Sequence, residues 1–225
     1  MENQKLDYLQ AMGIQAWQLK DVQENPIIAA PTPENNSEWE ILRAAVRACT
    51  ACGLEKSRTQ TVFGVGNLNA DLVVIGEAPG FNEDKQGEPF VGRAGQLLNA
   101  MLESIGFPRE SVYIANILKC RPPNNRDPQP EEVGLCTPFL TKQIALLNPK
   151  ILLAVGRIAA QFLLETKTAL GQLRGKIHSF NNTPLIVTYH PAYLLRSPKD
   201  KGKAYQDLLL AYRTLTELTA GSRGV

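Results

Sequence analysis

Four short apolar runs, at 71–75, 112–117, 151–155 and 184–189, constrain this 225-residue chain more than any other feature. Each is dense in Val, Ile and Leu and lacks the polar alternation of a strand that faces water on one side. Such runs read as strands buried on both faces. Helix-period segments follow or separate them, at 95–105, 131–147, 157–164 and 203–218. Strand–helix–strand repetition gives parallel strands with helices on both sides of the sheet. The expected fold is α/β: a three-layer α/β/α sandwich with a central four-stranded parallel sheet.

One domain over 41–220 accounts for this pattern, preceded by an extension at 1–40. That extension has a short amphipathic stretch at 6–19 with Trp17. Asn25-Pro26 and the Pro31-Thr32-Pro33-Glu34-Asn35-Asn36-Ser37 segment then have linker composition. Ser37 with Glu40 three positions on is a capping-box pattern that would start a helix at 39–49. Residues 1–40 are a candidate docking segment for a repair or replication partner. No basic segment leading into an apolar core begins the chain, so no secretory signal is expected. No apolar run reaches membrane-spanning length, so no membrane span is expected either. These features suit a cytoplasmic, monomeric protein.

The composition, 44% hydrophobic and 20% charged, excludes a disordered chain, and the net charge of +2 favours no class of partner. The distribution of charge says more. Between 167 and 203, Lys167, Arg174, Lys176, Arg196, Lys199, Lys201 and Lys203 face Asp200 alone. That excess reads either as one positive face or as a solvated lysine-rich loop.

In open parallel sheets, ligands bind beyond the carboxyl ends of the strands. The segments found there are Gly76-Glu77-Ala78-Pro79-Gly80, the stretch from Asn116 through Lys119 to Cys120, Gly156-Arg157, and His190-Pro191-Ala192-Tyr193-Leu194-Leu195-Arg196. The glycines at 76–80 let backbone N–H groups approach an anion, though no Gly-Lys-Ser/Thr of a nucleotide-binding loop follows. Glu77, Glu83 and Asp84 crowd carboxylates near the same strand end, either as solvated charges or to orient water and stabilise positive charge. Phe90, in Gly87-Glu88-Pro89-Phe90-Val91-Gly92, either plugs the core or grips a flat heterocycle. Asn116 interrupts an apolar strand, and a buried amide must be satisfied by backbone or by a ligand. His190 precedes a proline at a strand end and is either structural or a donor to developing negative charge. His178 is read as lying in a surface loop and has no assigned role.

Cys49-x-x-Cys52, Cys120 and Cys136 form a quartet that suits a structural metal or an iron–sulfur cluster. A redox dithiol and unligated core thiols are the alternatives in a reducing compartment. Spacing alone leaves zinc and a cluster even.

Five pieces in this order resemble the family 4 uracil-DNA glycosylases, the iron–sulfur class of the uracil-DNA glycosylase superfamily. They are Gly-Glu-Ala-Pro-Gly at 76–80 with Glu83-Asp84, Gly-Glu-Pro-Phe-Val-Gly at 87–92, Asn116, the cysteine quartet, and His-Pro-Ala-Tyr-Leu-Leu-Arg at 190–196. The resemblance spans about residues 45–218. It implies a [4Fe–4S] cluster on Cys49, Cys52, Cys120 and Cys136. It also implies monofunctional hydrolysis of the N-glycosidic bond of uracil in DNA, which leaves an abasic site for base excision repair.

On this reading Phe90 stacks on the flipped uracil and Asn116 pairs with its O4 and N3 edge. Gly76, Glu77 and Ala78 border the base, and His190 with the backbone of that turn stabilises the uracil anion. Glu83 polarises water, with Glu77 as the rival. Leu194 and Leu195 are the candidates for a wedge that fills the gap left by the base. Arg196 and Lys199 meet phosphates, and Arg121 and Arg126 are further candidates for DNA contact. No histidine lies between Asn116 and Cys136, so turnover is expected rather than a covalent product. A non-catalytic iron–sulfur module that binds DNA or a partner is the alternative, and an iron–sulfur electron carrier a more distant one.

Overall fold

The computed structural model describes residues 33–221. Among them six strands form one sheet: β1 (Val65–Gly66), β2 (Leu72–Gly76), β3 (Tyr113–Asn116), β4 (Ile151–Val155), β5 (Ile177–Phe180) and β6 (Thr183–Thr188). Their spatial order is β1-β3-β2-β4-β6-β5. The four inner strands are parallel, and β1 and β5 run antiparallel to their neighbours. Eight helices accompany them: α1 (Pro33–Ala48), α2 (Phe81–Gln86), α3 (Arg93–Glu103), α4 (Pro130–Leu147), α5 (Arg157–Leu163), α6 (Leu170–Leu173), α7 (Pro191–Arg196) and α8 (Lys201–Gly221).

The α/β/α sandwich follows from the period-2 geometry of the buried runs. Val73 and Ile75 of β2, Leu152 and Ala154 of β4, and Leu185 and Val187 of β6 face one core, with Trp39 and Leu42 of α1, Leu140 and Ile144 of α4, and Ala160 of α5. Leu72 and Val74, Leu153 and Val155, and Ile186 face the other, with Leu98 and Leu102 of α3, Leu194 of α7, and Leu208 and Leu215 of α8. A run apolar at every position is what a strand needs when both its faces are covered.

Three expectations change. The 175–180 segment is not a surface loop, because Ile177–Phe180 pairs with β6 as an edge strand. The cause is the Asn181-Asn182 turn, where φ of 48° and 66° gives the twist that a two-residue hairpin requires. Ser37 does not cap a helix, since α1 already begins at Pro33, a residue favoured in the first turn. The parallel sheet is flanked by two antiparallel edges rather than ending after four strands. The amphipathic stretch at 6–19 lies outside the described residues. Among the described residues, no helix is long and apolar enough to cross a membrane.

Leu102 is fully buried between α3 and the sheet, whereas Ile41 is 66% exposed on α1. Leu102→Ala is expected to cost about 2–5 kcal/mol in urea unfolding. Ile41→Ala is expected to stay within about 0.5 kcal/mol.

Candidate active site

The carboxyl ends of β2, β3 and β6 open onto one cavity of about 520 Å³. Glu77, Ala78, Glu83, Phe90, Asn116, His190 and Arg196 all line it. Segments separated by more than a hundred residues therefore converge where the parallel topology requires.

The floor depends on Gly76, the last residue of β2. A Cβ there would collide with Asn116 Oδ1 and come within 2.7 Å of the Phe90 ring. Gly76 thus lies under the cavity, and its bare α-carbon lets the ring and the amide meet. Asn116 is 2% exposed, and its Oδ1 is buried with no hydrogen-bond partner among the described residues. Leaving such an acceptor unsatisfied costs about 1–3 kcal/mol. Its backbone is fixed from below: buried Lys119 donates from Nζ to Asn116 O at 2.8 Å and to Gln143 Oε1 at 2.6 Å. Gln143 in turn donates to Phe63 O at 2.9 Å. Burial pushes the Lys119 ammonium down to about 8.

Phe90 has φ of 54°, a left-handed conformation that costs a non-glycine residue about 1–3 kcal/mol. Arg109 holds it there, donating from Nη2 to Pro89 O at 2.7 Å and from Nη1 to Phe90 O at 3.4 Å. Gly95 completes the seat, since a Cβ there would strike the Phe90 carbonyl. The ring is 7% exposed, and its centroid lies 5.6 Å from that of His190.

His190 caps α7: its Nδ1 accepts the Ala192 N–H at 3.1 Å. The proton of the neutral ring therefore sits on Nε2. Burial, and secondarily the Arg196 charge, lower its pKa to about 4, so the ring is neutral at physiological pH. Gly156, at φ of 99°, makes room for it, because a Cβ would lie 2.9 Å from His190 Cβ.

The two carboxylates differ. Glu83 stands in the first turn of α2, and its Oε1 accepts the Val91 N–H at 3.1 Å. Glu77 is pushed up to about 7 by burial and by the nearby Asp127 carboxylate, with Arg157 opposing. Arg157 pairs with Asp127 at 3.0 Å.

Leu194 is fully buried in the core beneath α7, which removes it as an exposed wedge, whereas Leu195 is 37% exposed. Arg196 and Lys199 are exposed. Lys203 and Arg174, counted in the basic stretch, are tied to Asp200 and Asp207. Arg126 also lines the cavity and is held by both oxygens of Glu132, at 2.5 and 2.9 Å. The sequence alone does not single out Arg109, and it presents Tyr193, which also lines the cavity, only within the 190–196 segment. A lone arginine after a proline carries no periodic or motif signal.

The expected [4Fe–4S] site does not hold. Cys49, Cys52, Cys120 and Cys136 line one small common cavity. All four are free thiols. Cys120 accepts a hydrogen bond from Arg58 at 3.0 Å and Cys136 one from the Lys119 N–H at 3.3 Å. Burial raises Cys120 and pushes Cys136 up to about 11, favouring protonated thiols. Among the described residues no group of three or more His, Cys, Asp or Glu side chains is placed to hold a metal ion. Cys120 and Cys136 instead belong to the core behind α1 and α4. The iron–sulfur class implied by the resemblance is corrected accordingly.

A family model described as the uracil DNA glycosylase superfamily matches residues 63–212. A type-4 uracil-DNA glycosylase of Thermotoga maritima is 48% identical over 160 residues, covering 70% of this chain and 83% of that protein. One of Archaeoglobus fulgidus is 46% identical over 162 residues, covering 68% and 81%. One of Pyrobaculum aerophilum is 41% identical over 179 residues, covering 76% and 91%. The matched span runs from the strand before Gly76 to the last helix and contains every residue of the cavity, and on that ground the chain belongs to the uracil DNA glycosylase superfamily, alongside its type-4 members.

Proposed function

We infer that this protein excises uracil from DNA by hydrolysing the N-glycosidic bond, leaving an abasic site for base excision repair. The observation that carries the reading at the level of this chain's own residues is the buried Oδ1 of Asn116, which has no hydrogen-bond partner among the described residues, in a residue that lines the cavity with an aromatic ring and a neutral histidine. A flipped uracil supplies what that amide lacks. Its N3–H donates to Oδ1 and its O4 accepts from Nδ2. Cytosine offers an acceptor and a donor in those places and leaves both groups unpaired, which is a strong basis for rejection.

Flipping costs a few kcal/mol of unstacking, offset by stacking on Phe90 and by Leu195 entering the vacated space. As the C1′–N1 bond breaks, its electron pair moves onto the uracil ring. The Nε2–H of His190 and the N–H groups of the turn at 76–78 stabilise the charge that gathers on O2. A neutral donor suits this task, since it need not give up its proton. Water then attacks C1′ of the cationic sugar, and Glu83, held by the Val91 N–H, orients it and takes its proton. Arg196, Lys199 and Arg126 meet phosphates, which makes binding fall steeply with salt.

An alkali-cleavage assay on labelled strands carrying one uracil, thymine or cytosine tests the reading. Cleavage at uracil alone is expected, and none on either single- or double-stranded substrate overturns it. His190→Ala should lower kcat about 10²- to 10³-fold, as removal of an oxyanion donor does. Asn116→Ala should lower kcat/KM about 10- to 100-fold, the cost of one lost polar pairing.

Glu77 predicts a pH effect of definite sign. With its folded pKa at about 7, above the unfolded value, the folded state binds the extra proton between about 4.5 and 7. Stability from this group is therefore full below about 4.5 and lost as pH rises through 7. Glu77→Gln should raise the unfolding midpoint at pH 8 and leave it unchanged at pH 4.5. Ionised Glu77 also opposes the uracil anion, so kcat should fall through about pH 7 in the wild type and not in Glu77→Gln.

A further inference from the structure

We propose that Phe81, with Arg121 and Lys85, forms a stacking platform for an unpaired DNA base that neighbours the flipped uridine. The proposal rests on the uracil pocket assigned above and adds a second nucleotide subsite to it.

Phe81 is the first residue of α2 and directly follows Gly80, which lines the cavity. Its side chain points away from both cores and is 50% exposed, an unusual place for a phenylalanine beside a polar cleft. The Lys85 Nζ lies 4.4 Å from the ring centroid and the Arg121 guanidinium carbon 5.1 Å from it. Arg121 comes from a different wall: it precedes Pro122, and its Nε donates to Asn125 Oδ1 at 2.7 Å, both of them cavity residues. The ring therefore sits at the rim where two walls of the pocket meet. Among the described residues neither Lys85 nor Arg121 forms an ion pair with a carboxylate.

An exposed ring with unpaired cations beside it is matched by a nucleotide, which offers a flat π face and a phosphate one bond system away. Arg stacks on rings through its planar fork, whereas the Lys ammonium is a mobile point charge. A base that takes the ring face therefore displaces Lys85, and the freed ammonium moves to the adjacent phosphate. Within an intact duplex a neighbouring base already stacks on its own strand. The platform thus serves a base without a partner, and it favours single-stranded over double-stranded substrate.

The test uses the full chain and oligonucleotides carrying a 2′-fluorinated uridine that resists hydrolysis. 2-Aminopurine is placed in turn at the two positions on either side. The wild type is expected to quench it at one position. Phe81→Ala should leave that position bright at saturation, and Phe81→Trp should restore the quenching. Affinity of Phe81→Ala for the single strand should fall about five-fold or more, from the usual worth of one base–aromatic stack. Deleting the base at that position should bring the wild type to the same level and weaken Phe81→Ala no further. Unchanged quenching in Phe81→Ala, or an equal Phe81→Ala loss with and without the neighbouring base, overturns the platform. Uracil excision by the wild type, scored in parallel, separates a failed platform from a failed pocket.

Discussion

Close approach of two chain segments over Gly76 is the constraint on which the site depends. The parallel pairing of β2 with β3 sets Gly76 opposite Asn116, and the missing side chain lets Phe90 lie against both. Any Cβ would push the ring and the amide apart, and on the proposed function a flat base would then lose either its stacking face or its hydrogen-bonding edge. The rest of the local structure secures that approach. Arg109 and Gly95 hold Phe90 in a backbone conformation it would not otherwise adopt. Lys119 and Gln143 tie Asn116 to the loop at Phe63.

Electrostatics follows from the same burial. Desolvation keeps His190 uncharged and Glu77 partly protonated near neutral pH. Among the buried titratable groups this leaves an uncharged imidazole and a partly protonated carboxyl, while Arg126 and Arg196 also line the cavity. The same burial stores instability in the site: an acceptor with no partner among the described residues, a left-handed phenylalanine and a carboxyl held above its usual range.

The parts legible in sequence were those with a period or a punctuation. The inner strands read clearly because burial on both faces leaves no polar position, and β4 matches its expected bounds of 151–155. The rule that ligands gather at carboxyl ends of parallel strands brings Gly76, Asn116 and His190 together from sequence alone. The edge strand β5 was missed because its half-buried, half-exposed pattern carries no apolar run. Leu194 and Leu195 look alike in sequence, and only the helical turn of α7 sends one inward and the other outward. The cysteine spacing implies more than the structure holds. Spacing indicates that four thiols gather, but among the described residues no group of three or more His, Cys, Asp or Glu side chains is placed to hold a metal ion.

The two antiparallel strands at the margins of the sheet bear on how the protein behaves in a crowded solution. Open parallel sheets end in rows of unpaired amides that can recruit another chain. Here β1 is only two residues long and ends at Gly66, while β5 is four residues long, follows directly on Lys176 and reverses at once through the Asn181-Asn182 turn. Short, twisted and charged margins of this kind give a second molecule little to extend. The inner strands, among the most apolar segments of the chain, are thereby shielded from polymerisation.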